Sequence, residues 1–182
     1  MGGHAKKTGR RVFVLLVATM AALGLAVAPP ATADLMPIGN LNQTLRVEFK
    51  GVVADVTVHD VLPTPPPPGY TPTGSPRWRD QGGPWRAGVT VHIIQAPNPF
   101  VTSLLFAFHG NTPYGDSYAP KNTDAPDALT TALRNAPAGS TVSGAVYWQV
   151  YRERVTNVLL INPQTGTQLA QWNIWQPGAP LP

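Results

Sequence analysis

The chain has 182 residues, with 13 Lys and Arg against 9 Asp and Glu, 21 Pro, 17 Gly and no Cys. Without cysteine there are no disulfides, no thiolate metal centre and no Cys nucleophile. The formal charge of +4 comes from Lys6, Lys7, Arg10 and Arg11; beyond them 9 basic residues face 9 acidic ones. The basic balance therefore belongs to the N-terminus, and nucleic-acid or anionic-membrane binding by the rest loses its main support.

Residues 1–33 read as a signal peptide. The basic cluster is followed by an apolar run from Val12 to Val27, and Ala31-Thr32-Ala33 supplies a small-x-small cleavage site before Asp34. The run is shorter than the roughly 20 apolar residues of a membrane span, and Gly24, Pro29 and Pro30 weaken it as a helix. Arg10-Arg11-Val12-Phe13-Val14 also resembles a twin-arginine export pattern, so both export routes stay open. Cleavage leaves 149 residues, expected to be secreted or cell-wall associated with no stable membrane span.

A single domain is expected over 34–176, of a size that supports its own core. In 43–50, Leu45, Val47 and Phe49 alternate with Arg46, Glu48 and Lys50, which predicts a half-buried strand. After Gly51, residues 52–62 repeat the pattern, with Ala54, Val56 and Val58 on one face and Asp55, Thr57 and His59 on the other. A proline-rich loop fills 63–84, since its prolines forbid ladder bonds. Residues 85–96 return to strand, with Val89, Val91 and Ile93 inward. Val101–His109 reads as a further apolar strand after the Pro97-Asn98-Pro99 turn. A loop follows over 110–127, turning at Pro113-Tyr114-Gly115-Asp116. A short helical turn is expected around Pro126–Arg134, capped by Asp124, with Leu129 and Leu133 as i,i+4 partners. Strands at 140–152, 155–162 and 168–175 close the domain, with a turn at Asn162–Gly166 and a disordered tail over 177–182. Short strands without βαβ alternation predict an all-β, immunoglobulin-like antiparallel β-sandwich of about seven to nine strands.

Several segments carry a family likeness. Pro37-Ile38-Gly39, Pro68-Gly69-Tyr70, the Trp85 strand, Gly144-Ala145-Val146-Tyr147-Trp148-Gln149-Val150 and Ile174-Trp175-Gln176-Pro177 occur in this order after a secretory leader. Over most of 36–177 the chain resembles the immunoprotective extracellular, immunoglobulin-like family of mycobacteria, small secreted antigens built on a domain of unknown function. It departs from the family in its longer proline-rich loop, and in Gln149 and Gln176 where acidic residues are expected. The resemblance implies a secreted β-sandwich and carries over no catalytic residue.

The residues offer little local chemistry. Gly115-Asp116-Ser117-Tyr118 matches the start of a Gly-Asp-Ser hydrolase motif, but no His follows His109, so a turn is expected. His59, His92 and His109 would meet as zinc or copper ligands, with Asp55 or Asp60, only if their strands were neighbours. Their spacing is not that of a local metal motif, and isolated solvated histidines with no bound metal or cofactor are expected. Asp116, Asp124 and Asp127 lack the ligand pattern of a calcium loop. Of Trp148, Trp172 and Trp175, at least one should point away from the core by parity. The densest aromatic-plus-arginine segment is Tyr70, Arg77, Trp78, Arg79, Trp85 and Arg86, residue types enriched at binding hot spots. These six are the candidate partner-binding residues. The expected function is non-enzymatic: a binding module for an envelope or host component, and an antigen. A carrier of a small apolar ligand or metal is the alternative, and an unrecognised hydrolase the third reading.

Overall fold

The computed structural model describes residues 36–69 and 83–174. The expected leader, the centre of the proline-rich loop and the tail lie outside them. In chain order the elements are β1 (Ile38–Asn40), β2 (Thr44–Phe49), β3 (Val52–Pro63), β4 (Gly83–Gln95), α1 (Pro99–Leu105), β5 (Ala107–Asn111), β6 (Ser117–Tyr118), α2 (Leu129–Leu133), β7 (Thr141–Val150), β8 (Asn157–Ile161) and β9 (Gln168–Asn173).

The strands form two sheets, ordered β2-β3-β4-β7 and β1-β9-β8-β5-β6. The architecture is the all-β sandwich read from the alternation. Neighbours are antiparallel except β1 and β9, where Ile38 lies opposite Gln171 in a parallel pair. From β1 to β2 the chain thus crosses from one sheet to the other through the turn at Asn42, whose φ is 67°.

Period-two patterning sets what each face buries. Val47, Ala54, Val56, Val58, Ala87, Val89, Val91 and Ile93 line the inner face of the four-stranded sheet. A register slip between Val58 and Asp60 lets Val58 and Val61 both face inward, three residues apart. Phe108, Val158, Leu160, Ala170 and Trp172 meet them from the other sheet, and Val146, Trp148 and Val150 complete one core. On the outer face Thr44, Thr57, Thr90 and Ser143 share one cross-strand row. Their hydroxyls pair at 2.8 Å from Thr44 to Thr57 and from Thr90 to Ser143, a side-chain ladder that reinforces the pairing.

Two local expectations need correction. The apolar stretch from Val101 is not one strand: α1 occupies Pro99–Leu105, and β5 begins only at Ala107. Asn98 is extended and its side chain accepts the Phe100 N–H at 3.1 Å, with Pro99 in the first turn. Those are helix-start signals, and a short apolar run does not distinguish strand from buried helix. The second correction concerns Asp124. α2 covers only Leu129–Leu133, and its N-cap is Ala128, without a side-chain cap bond. Leu129 and Leu133 are both buried, as their spacing predicts.

Trp148 and Trp172 are both fully buried, and Trp175 lies outside the described residues. Trp148 Nε1–H donates to the Phe108 carbonyl at 2.8 Å, and Trp172 Nε1–H to the Gln43 carbonyl at 2.9 Å. Trp148→Phe keeps an aromatic ring but deletes the donor and part of the buried volume, and should cost at least about 1–3 kcal/mol. Trp148→Ala should cost about 3–5 kcal/mol. Urea unfolding checks both, as a lower midpoint at unchanged slope.

Candidate functional site

The loops of one end of the sandwich converge. β3 ends at Pro63 and β4 starts at Gly83, which lies opposite Val150, the last residue of β7. Thr64 N–H donates to the Pro84 carbonyl at 2.9 Å and closes the stem of the proline-rich loop. β5 also points to this end, since the Trp148 indole bonds Phe108. The turn after β5 and the connection after β7 therefore lie beside the loop stem, the arrangement by which sandwiches present binding loops.

The turn after β5 is rigid. Tyr114 N–H and Asp116 N–H donate to Thr112 Oγ1 at 3.3 and 3.1 Å, and Thr112 N–H donates to the Asp116 carbonyl at 2.9 Å. Gly115 takes φ 88°, the left-handed conformation that suits glycine there. Tyr114 stands at the tip with 82% of its surface exposed. Across from it, Tyr118 donates its hydroxyl proton to the Glu153 carbonyl at 2.8 Å and accepts the Glu153 N–H at 3.1 Å. Burial raises the Tyr118 pKa, so it stays a neutral phenol. Its ring packs edge-on against Tyr151 at 5.3 Å, and the Arg152 guanidinium lies 5.9 Å from the Tyr151 ring centre. Arg152 also pairs with Asp116 at 3.1 Å. Tyr151, still 53% exposed, is held between a phenol and a guanidinium.

Of the six partner-binding candidates, Tyr70, Arg77, Trp78 and Arg79 lie outside the described residues. Trp85 has inward parity and packs half-buried against the core. Arg86 faces outward, its Nη2 3.2 Å from Asp60 Oδ2, while Asp60 Oδ1 accepts the Gly88 N–H at 2.8 Å. Both described candidates anchor the loop stem. Tyr114, Tyr151 and Arg152, which sequence reasoning passed over, are exposed aromatic and cationic groups at this end among the described residues. A Tyr at the tip of a Pro-Tyr-Gly-Asp turn was the available signal.

A strap over 119–128 buttresses this end. Lys121 N–H donates to the Tyr147 carbonyl at 2.8 Å, and Ala145 N–H to the Asp127 carbonyl at 2.6 Å. These bonds cover part of the β7 edge, which would otherwise be open to other strands. Ala125, Ala128, Ala145 and Tyr147 form a small second core beneath it. Asp124 N–H donates to the Pro68 carbonyl at 2.8 Å, tying the loop to the strap. Gly144 permits the close crossing: a Cβ there would lie 2.7 Å from Leu129 Cα. Tyr147 donates to Asp127 Oδ1 at 2.7 Å. Its pKa is pushed up to about 12, first by burial and then by the Asp127 carboxylate, against the opposing pull of Arg86.

The histidines fall on opposite outer faces. His59 and His92 lie on the four-stranded sheet and His109 on the other. His59 Nε2 sits 2.8 Å from Thr90 Oγ1, and His92 Nδ1 2.9 Å from Thr141 Oγ1. Asp55 is clasped by Arg46 at 2.8 and 3.0 Å, and that hydrogen bonding lowers its pKa. Among the described residues no three His, Asp or Glu converge on one point. Ser117 and His109 do meet, at 3.0 Å between Oγ and Nδ1. The hydroxyl, however, donates to Asn111 Oδ1 at 3.0 Å, and Asp116 holds Arg152 rather than the imidazole. Burial lowers the His109 pKa. The pair belongs to the outer surface of a sheet, without the carboxylate-oriented base a nucleophilic serine requires. The cleft between α2 and β7, lined by Phe108, Leu129, Leu133 and Tyr147, encloses about 30 Å³. That is room for one or two waters and far below a small-molecule pocket.

The fold and this end together define a two-sheet β-sandwich that holds aromatic and cationic side chains on braced loops. No family model matches the chain, and no curated protein does. Among solved structures it is similar to MPT63, a secreted protein from Mycobacterium tuberculosis. The identity is 22%, the match covers 78% of this chain and 99% of that one, and the TM-score is 0.54. That likeness is one of fold. A candidate lipoprotein from Staphylococcus aureus matches at 5% identity over 72% of this chain and 93% of that one, with a TM-score of 0.38, too distant in shape to bear on this chain. No helix among the described residues is long and apolar enough to cross a membrane.

Because the folded pKa of Tyr147 lies above the ordinary 10, its neutral phenol contributes stability that is complete below pH 10 and lost as pH rises through about 12. Ultraviolet phenolate titration should show a late tyrosine signal that is lost in Tyr147→Phe and shifted down in Asp127→Asn.

Proposed function

We propose that this protein is an exported, non-catalytic binding module, related to the immunoprotective extracellular, immunoglobulin-like proteins of mycobacteria. Its partner is a protein of the cell envelope or the host, engaged by the loop end of the sandwich. As an exported surface it is also a target for host antibodies.

One observation carries this reading: Tyr114 stands exposed on a hydrogen-bonded turn that the Arg152–Asp116 pair joins to exposed Tyr151 and Arg152, which follow directly on Val150, the partner of Gly83 at the stem of the proline-rich loop. Tyr and Arg are enriched among residues that dominate binding energy, and braced turns reduce the entropy lost on association. The cleft between α2 and β7, about 30 Å³, gives the carrier reading no comparable support among the described residues.

Crosslinking mass spectrometry with envelope fractions and host-cell lysate, on the chain from residue 34, checks the proposal. The expected result is a partner crosslinked to the loop end, bound at least tenfold more weakly after Tyr114→Ala with Tyr151→Ala, about the loss of one hot spot. A partner that binds both forms equally, or crosslinks only elsewhere, contradicts it.

A further inference from the structure

The outer face of the five-stranded sheet has a composition that the loop end does not use. None of its strands contains Asp, Glu, Lys or Arg. The strands of the other sheet carry Arg46, Glu48, Asp55, Asp60 and Arg86. Across the uncharged face, register places Asn40 beside Asn173, Asn173 beside Asn157, Asn157 beside Asn111, and Asn111 beside Ser117. Every strand of the sheet thus contributes one amide or hydroxyl to a single row. Alongside runs a second row of Ile38, Gln171, Leu159 and His109, two of them aliphatic.

This pattern is not required for folding. An outward strand position needs only to be compatible with water, and mixed charges serve that purpose on the other sheet. The amides also leave capacity unused. Gln171 Nε2–H donates to Asn173 Oδ1 at 2.7 Å and Ser117 to Asn111 Oδ1. Asn157 Oδ1, in the middle of the row, is buried and accepts no hydrogen bond. A shielded acceptor without a donor costs free energy, so the centre of the row gains from any rearrangement of the Asn157 amide that gives it a partner.

We propose that this face binds a neutral polysaccharide strand laid along the amide row. The absence of charge matches an uncharged partner and disfavours an anionic polymer. Each Asn offers two donors and an acceptor, the set needed for hydroxyls that both give and take protons. The rungs recur at about 4.8 Å, the spacing of neighbouring strands, which is close to the advance of one sugar unit along an extended glycan. Ile38, 58% exposed at the β1 end of the second row, meets the C–H face of a sugar ring. A protein partner would favour exposed Trp, Tyr and Arg, which these five strands do not present.

The test titrates the chain from residue 34 with neutral oligosaccharides of glucose, mannose, galactose and arabinose, and with an oligogalacturonate of equal length. Binding is followed by calorimetry and by the side-chain amide signals in nuclear magnetic resonance. Saturable binding of a neutral oligosaccharide is expected, with shifts at Asn40, Asn111, Asn157 and Asn173. Asn40→Ala with Asn173→Ala should weaken it at least about tenfold, the scale of one lost buried hydrogen bond. Glu48→Ala, on the other sheet, should leave it unchanged. The amide shifts of the unmodified protein decide the matter even if the double variant folds poorly. The proposal is overturned if no neutral oligosaccharide binds, if the shifts map to the loop end, if oligogalacturonate binds as well, or if the folded double variant binds normally.

Discussion

Two indole N–H groups cross the interior in opposite directions. Trp148 reaches from the four-stranded sheet to a β5 carbonyl of the five-stranded one, and Trp172 reaches back to the Gln43 carbonyl at the entry to β2. A chain without cysteine has no disulfide between its layers. Apolar contact alone is non-directional and would let the sheets slide. A buried indole donor must find its acceptor or bear the desolvation penalty, so each bond fixes the register of one sheet over the other. Phe108 lies against Trp172, 6.4 Å between ring centres, so the acceptor of one bond packs on the donor of the other.

The loop end inherits its order from that crossing. Gly110 provides the space: a Cβ there would lie 3.2 Å from the Trp148 ring and 2.9 Å from Val155. The chain then turns at Tyr114 and returns through Ser117 and Tyr118, whose bonds to Glu153 hold the connection carrying Tyr151 and Arg152. On the other side of β7 the strap presses Tyr147 down and reaches the loop through Asp124 and Pro68. Exposed aromatic groups on this end are thus fixed by buried ones behind them. The amide face lies on the outer side of the five-stranded sheet. Although Asn111 and Ser117 flank the Tyr114 turn, Asn40 and Asn173 lie on β1 and β9, where the face can be altered away from the loop end.

The alternation of apolar and polar residues in β2, β3 and β4 was legible because one face of each strand is buried and the other wet. β7, β8 and β9 were legible as strands for their β-branched and aromatic content. β1 was not, since three residues carry too little pattern and its parallel partner lies far along the chain. α1 was misread because Leu105, Phe106 and Phe108 satisfy strand and helix templates alike, and the Asn98-Pro99 start had to arbitrate. Asp124 looked like a cap by composition, yet its backbone serves the proline-rich loop. The sites were less legible still. Trp85 and Arg86 stood out as residue types, but parity turns one inward and Asp60 engages the other. Tyr114, Tyr151 and Arg152 sit on two connections that are joined by the Tyr118–Glu153 bonds and the Arg152–Asp116 pair. The amide row joins residues from all five strands of its sheet, and no window of sequence contains it.

Hydrogen exchange of the two indole N–H groups, followed by nuclear magnetic resonance under native conditions, tests the central claim most directly. If the crossing bonds tie the layers, both groups exchange only through global unfolding, with the same free energy and denaturant slope as the central amides of β3 and β4. Exchange of either indole through a local opening, with a smaller free energy and little denaturant dependence, would show that the sheets are held together without it.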